Sequence, residues 1–149
     1  MRLILTSNGF PSANPSLEEV FRRFLDEAPS KVCWYLPTAP LRDGWSERQA
    51  RAQMARLGST YGMRMEWIDP EYTKGDRLRD AVTALKPGVI YAEMGNTYNI
   101  CHHLHNSGGD RLVTELVSAG AVYVGASAGS IMAGRTIQTA CTPLPSLLL

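Results

Sequence analysis

Gly125-Ala126-Ser127-Ala128-Gly129 has the residue types and spacing that serine chemistry needs. A serine hydroxyl is a poor nucleophile near neutral pH because its proton is held tightly. It needs exposure, a base to take the proton, and N–H donors for the oxyanion that forms. A G-x-S-x-G elbow supplies the exposure by placing the serine on a tight strand-to-helix turn, so crowded that its neighbours must be small. Gly125, Ala126, Ala128 and Gly129 meet that demand. The same residues also fit a plain βα turn with a solvated serine, since short motifs recur by chance. The apolar run Ala121 to Val124 before the motif, and Ser130, Ala133 and Gly134 after it, supply the strand and small-residue helix that an elbow requires.

Oxyanion donors have two candidate sources. One is the backbone N–H of Ala128, the residue after the serine; a helix starting there also aims its unpaired N–H groups and positive dipole end at Ser127. The other is Gly95 in Glu93-Met94-Gly95-Asn96-Thr97, where the missing Cβ lets a peptide N–H turn toward a neighbouring site. That segment fits equally well a simple turn in which Asn96 caps the next helix. Asn96 is also a candidate substrate-binding residue.

The base is the difficulty. The histidines are His102, His103 and His105, all before the elbow, and no Asp or Glu follows it. They lack the i, i+4 spacing of a metal-binding pair and read as helix-surface or half-buried side chains. The chain thus shows a nucleophile without an evident base, and neither a metal nor a cofactor is expected.

Residues so far apart must be positioned by a regular scaffold, and strand-like and helix-like segments alternate along the whole chain. Strands are expected at Leu3 to Thr6, Lys31 to Leu36, Arg64 to Ile68, Val89 to Ala92 and Ala121 to Val124. Between them, apolar residues at helical spacing mark Leu17 to Glu27, with Ser16 and Glu19 as a capping box, and Ser46 to Leu57, with Ala50, Met54 and Leu57 inward. Further helices are expected at Arg77 to Leu85, Thr97 to His105 and Asp110 to Ala119, the last C-capped by Gly120. This alternation implies an α/β fold, a mostly parallel sheet covered by helices on both faces. Ligand sites in such sheets lie beyond the carboxyl ends of the strands, where the loops after the fourth and fifth strands carry Gly95 and Ser127.

Composition narrows the partners. A formal net charge of +1, with arginines interleaved among acidic residues, gives no electrostatic case for nucleic acid or an anionic membrane. Three separated cysteines, Cys33, Cys101 and Cys141, form no CxxC pair and fit reduced thiols in the cytoplasm. No apolar stretch reaches the ~20 residues of a membrane span. The Met1 to Thr6 segment is shorter than the roughly 7–15 residues of a signal h-region. The tail from Ala140 to Leu149, with Pro143, Pro145 and a terminal leucine triplet, reads as an interrupted part of one domain spanning residues 1–149. Nothing in the sequence specifies an oligomeric state.

Three segments in this order make the chain recognisable: Leu36-Pro37-Thr38-Ala39, Met94-Gly95-Asn96-Thr97-Tyr98, and Gly125 to Gly129 followed by Thr136-Ile137-Gln138-Thr139. Together they resemble the dipeptidase E family of aspartyl dipeptidases, serine peptidases related to cyanophycinase. The resemblance implies a three-layer sandwich like that of class I glutamine amidotransferases, with serine in place of the elbow cysteine and the C-terminal part of the domain missing. It also implies that Ser127 is the nucleophile, that Gly95 and Ala128 are the oxyanion donors, and that the substrate is a short peptide. Two departures matter. Met94 stands where the family usually has a glycine, and the family's catalytic histidine, acidic partner and substrate-reading basic residue have no counterpart here.

Two functions follow as expectations: a serine-type peptidase acting through a Ser127 acyl-enzyme, or a truncated, inactive form serving as a non-catalytic binding or regulatory protein. With only the oxyanion hole and binding left, turnover by these residues is expected to be very slow, and an uncovered sheet edge is expected to lower solubility. An amidotransferase would need cysteine at position 127. An α/β-hydrolase would need a later histidine, and a dinucleotide site would need G-x-G-x-x-G after the first strand. Anion binding at the helix starting at Ala128 is a weaker binding-module reading.

Overall fold

Apolar residues on alternating positions of each strand face opposite sides of a single sheet, and the helices cover both. The computed structural model describes residues 1–9 and 14–138. Its strands are β1 (Arg2–Thr6), β2 (Val32–Leu36), β3 (Arg64–Trp67), β4 (Val89–Ala92) and β5 (Val122–Ala126). All neighbours pair in parallel in the order β1-β5-β4-β2-β3. The helices are α1 (Pro15–Asp26), α2 (Thr38–Leu41), α3 (Glu47–Tyr61), α4 (Gly75–Leu85), α5 (Thr97–Ser107), α6 (Gly109–Ser118) and α7 (Ala128–Met132).

On one face, Cys33, Tyr35, Val89, Tyr91, Val122 and Val124 pack under α1 and α3, which contribute Phe21, Leu25, Leu57 and Tyr61. On the other, Trp34, Leu36, Ile90, Ala92 and Tyr123 meet Leu78 and Val82 of α4, Ile100 and Leu104 of α5, and Leu112 and Val117 of α6. The fold is therefore the expected α/β three-layer sandwich. Each fully buried large apolar side chain contributes roughly 1.5–3 kcal/mol of transfer free energy. β4 and β5 are buried along their whole length, as interior strands of a parallel sheet must be. β1 lies at an edge and leaves Leu3 and Leu5 exposed.

Several boundaries differ from expectation for local reasons. α1 is capped not by Ser16 but by Asn14, whose side chain accepts from the Leu17 N–H at 3.2 Å. Pro15 causes this: it has no N–H to lose and its φ is already helical, so it takes the first helical position and Ser16 falls inside the turn. α3 starts on a true capping box of Ser46 and Gln49 and runs a turn past Leu57. Tyr61 anchors that extra turn by meeting Phe21 edge-on at 5.0 Å. α6 closes as expected at Gly120, whose φ of 106° lets its N–H reach the Val117 carbonyl at 3.1 Å and the Ala121 N–H reach the Leu116 carbonyl at 3.0 Å. β5 continues to Ala126, so the elbow starts directly from the ladder. The short helix α2 is unforeseen from sequence, because Pro37 reads as the end of the second strand and Pro40 stands within the four residues of the helix.

Among the described residues no helix is long and apolar enough to cross a membrane. Cys33 and Cys101 are free thiols. Cys141 and the expected irregular tail lie outside the described residues.

Candidate active site

Ser127 is the single residue between β5 and α7. Its backbone adopts φ 47° and ψ −102°. Among the described non-glycine residues only Ser127 and Lys86 have positive φ. A non-glycine residue in so sparse a region costs of order 1–3 kcal/mol and persists only where its surroundings impose it.

The surroundings are on both sides of the turn. The Ser127 N–H donates to the Thr6 carbonyl of β1 at 2.8 Å, and the Ser127 carbonyl accepts from Ser130 and Ile131 N–H at 2.9 and 3.0 Å. The Ser130 hydroxyl accepts the Thr6 N–H at 3.0 Å and lies 2.7 Å from the Gly125 carbonyl. The Tyr123 hydroxyl donates to the Gly129 carbonyl at 2.6 Å. Both motif glycines are explained by close approach. A Cβ on Gly125 would sit 2.6 Å from Gly129 backbone atoms, and one on Gly129 would sit 2.2 Å from the Ala92 carbonyl oxygen of β4. The spacing G-x-S-x-G is thus the spacing at which α7 can fold back on both β5 and β4.

The second loop leaves the sheet beside the first. β4 and β5 are parallel neighbours with Ala92 opposite Gly125, so Gly95 and Ser127 lie past the carboxyl ends of adjacent strands. Gly95 has φ 134°, and a Cβ there would lie 2.4 Å from the Ala39 carbonyl oxygen. The Asn96 N–H donates to that carbonyl at 3.0 Å. The Asn96 side chain caps α5 by accepting from the Asn99 N–H at 3.0 Å. The turn-and-cap arrangement is therefore real, and the missing Cβ of Gly95 is what admits the close approach of Ala39. Ala128 is buried at the first position of α7, where a backbone N–H has no intrahelical acceptor.

Two of the three histidines are hydrogen-bonded elsewhere. His102 Nε2 lies 2.9 Å from the Asn106 amide nitrogen, and His105 Nδ1 lies 3.0 Å from an Asp110 carboxylate oxygen. His103 is half-buried, with Nε2 4.0 Å from Glu71 Oε2. Among the described residues none hydrogen-bonds the Ser127 hydroxyl, and no group of three His, Cys, Asp or Glu could hold a metal ion.

Two polar clusters beside these loops escaped sequence reasoning. Glu93, fully buried just before the Met94-Gly95 loop, accepts from the Tyr35 and Tyr91 hydroxyls at 3.3 and 3.1 Å and from the Met94 N–H at 3.0 Å. Burial pushes its carboxyl above the usual range, opposed by those three donors. Its only sequence signal was a shared strand parity with Tyr91, which says nothing about Tyr35 until β2 is paired with β4. In the other cluster, the Thr38 hydroxyl donates to Asp69 Oδ1 at 2.6 Å, and Arg42 pairs with Glu71. Burial raises Asp69, against the pull of Thr38, His103 and Arg42. Burial lowers His103, helped by His102 and opposed by Asp69.

The arrangement resembles known peptidases in sequence and in fold. The sequence model of peptidase family S51 matches residues 3–143. The uncharacterized peptidase Lmo0363 of Listeria monocytogenes is 25% identical over 138 residues, which are 92% of this chain and 63% of that protein. The uncharacterized peptidase Lin0382 of Listeria innocua is 37% identical over 57 residues, 38% of this chain and 27% of that one. A crystal structure of a candidate peptidase E protein from Listeria monocytogenes superimposes with a TM-score of 0.65 at 27% identity, covering 87% of this chain and 59% of its own. A peptidase from an acI-B1 Actinobacterium shares the fold, with a TM-score of 0.67 at 18% identity and 87% and 55% of the two chains covered. The chain therefore spans less than two thirds of the length of these relatives.

Proposed function

The chain belongs to peptidase family S51, the dipeptidase E family, and from that premise we propose that Ser127 is the nucleophile of a serine-type peptidase acting on short peptides. The observation that carries this reading is the strained backbone of Ser127 at φ 47°, held by β1, β4 and α7 at the carboxyl edge of the sheet. A solvated turn serine would have no reason to be held in so costly a conformation. In the proposed reaction the Ser127 hydroxyl attacks the scissile carbonyl, its proton passes to a base, and the peptide amine leaves from an acyl-enzyme that water then hydrolyses. The N–H groups of Gly95 and Ala128 stabilise the oxyanion. Asn96 shapes the Gly95 loop, and its exposed part is the candidate contact to substrate. No cofactor enters the scheme, and a cytoplasmic location belongs to the same proposal.

Among the described residues no histidine hydrogen-bonds the Ser127 hydroxyl: His102 and His105 bond to Asn106 and Asp110, and His103 faces Glu71 at 4.0 Å. That observation supports a second reading, in which the 149 residues bind short peptides at the Ser127 edge without turning them over. Fluorophosphonate labelling separates the two, since it requires an activated hydroxyl. Labelling of the wild-type chain that disappears in Ser127→Ala supports the nucleophile. A wild-type chain that stays unlabelled while binding short peptides supports the non-catalytic reading.

A further inference from the structure

We propose that the hydrogen bond from Thr38 to Asp69 positions the Gly95 N–H, so that a turn at the opposite edge of the sheet sets the oxyanion donor. The inference rests on reading Gly95 as that donor, and it makes Thr38 and Asp69 positioning residues.

Gly95 leans on α2 as well as on the end of its own strand, where the Glu93 carboxyl accepts the Met94 N–H. Its φ of 134° brings it so close to Ala39 that any Cβ would overlap the Ala39 carbonyl, and that same carbonyl accepts the Asn96 N–H. The Gly95–Asn96 peptide is thereby tied to Ala39, and the Gly95 N–H, on the preceding peptide, is set through the Gly95 Cα that the two peptides share. Yet α2 has four residues, no side-chain cap at its start, and a proline in its body that donates no backbone hydrogen bond. A helix this short does not hold its own conformation.

It is tied at both ends to the turn that follows β3. At its start, the Thr38 hydroxyl donates to Asp69 Oδ1 at 2.6 Å, with both residues buried. At its end, the Arg42 Nε donates to Glu71 Oε2 at 3.0 Å. Asp69 Oδ1 also accepts the Glu71 N–H at 3.0 Å, so one carboxylate shapes its own turn and grips α2. Among the described residues its other oxygen, Oδ2, has no hydrogen-bond partner although it is buried. Thr38 is therefore the side chain that anchors Asp69, and a buried hydrogen bond of 2.6 Å whose loss would leave the carboxyl unpaired is costly to break. The path runs from Asp69 to Thr38, along one residue to the Ala39 carbonyl, and across to Gly95.

Amide hydrogen exchange of the 149-residue chain tests the link without requiring activity. In Thr38→Val, which keeps the shape and removes the donor, the Asn96 amide is expected to exchange roughly tenfold faster relative to Tyr91 and Val124 in the sheet. Thr38→Ser restores the donor and should restore the protection. If Thr38→Val does not fold, Asp69→Asn, which weakens the acceptor, should give the same relative change at smaller size. An unchanged Asn96 rate, or one that rises in step with Tyr91 and Val124, overturns the proposal. Fluorophosphonate labelling of Ser127 is the second readout: it should slow in Thr38→Val and recover in Thr38→Ser, and equal labelling in wild type and Thr38→Val also overturns it. If the wild-type chain is not labelled at Ser127, the nucleophile reading is what fails, and the exchange comparison alone decides the tether.

Discussion

Replacing Gly129 by alanine separates crowding from propensity with opposite signs. Gly129 sits in the first turn of α7 with an ordinary helical φ, so alanine brings no backbone strain there. In an uncrowded helix the exchange would stabilise by up to ~1 kcal/mol. The added Cβ, however, would lie 2.2 Å from the Ala92 carbonyl oxygen and 2.7 Å from the Ala92 Cβ. Comfortable carbon contacts are about 3.5–4.0 Å, so α7 would have to retreat from β4 by roughly 1 Å. The retreat works against the 2.6 Å bond from Tyr123 to the Gly129 carbonyl and against the Ser130 bridge to Thr6 and Gly125. Overpacking of this kind costs about 1–3 kcal/mol, and a strained hydrogen bond adds some of its ~1 kcal/mol. Set against the propensity gain, the expected net loss is about 1–3 kcal/mol, which for a chain of this size lowers the melting temperature by roughly 3–12 °C. Denaturant melts at unchanged m-value would report it independently. A variant that melts at or above the wild-type temperature would refute the reasoning, because α7 would then not be pressed on β4 and the motif's last glycine would need another explanation.

The remaining expectations are shorter. Ser127→Gly should be more stable than Ser127→Ala by about 1 kcal/mol, since glycine adopts φ 47° freely whereas alanine keeps the strain; equal melting temperatures would argue against a strained elbow. His103 should make the protein acid-sensitive. Its folded proton affinity is lowered from the ordinary value of 6.5, so as pH falls below that value the unfolded chain binds protons that the folded one resists, and stability drops. His103→Gln should remove that part of the loss between pH 7 and 5 in paired denaturant titrations, leaving the opposite trend from Asp69, whose raised carboxyl favours the folded state as pH falls. Ser127-dependent fluorophosphonate labelling, absent in Ser127→Ala, is the direct check on the nucleophile.

Much of the scaffold was legible because its signals are local. Apolar runs broken by Pro37 and Asp69-Pro70 marked strands, and helical spacing in Leu78, Val82 and Leu85 marked α4. The errors were local too, and they sat where one residue outranked another: Pro15 moved the α1 cap from Ser16 to Asn14. Pro37, read as the end of the second strand, instead caps α2, and Pro40 lies inside it. That omission mattered most, because α2 is what Gly95 leans on.

By itself the sequence determined the elbow, since G-x-S-x-G after an apolar strand states which residues must be small and which hydroxyl is displayed. It also determined that the three histidines of these 149 residues all precede Ser127. Only the tertiary structure decided why the small residues are needed. Gly125 faces Gly129, Gly129 faces Ala92, and Gly95 faces Ala39. Two of those partners come from elements dozens of residues away in sequence, brought near by the strand order. Tertiary structure likewise gathered Tyr35, Tyr91 and Glu93 around one buried carboxyl, and Thr38, Asp69 and His103 around another. The physical reason is the range of the forces concerned. Propensity, capping and turn chemistry act within a few residues, whereas close packing and buried hydrogen bonds depend on which strands become neighbours.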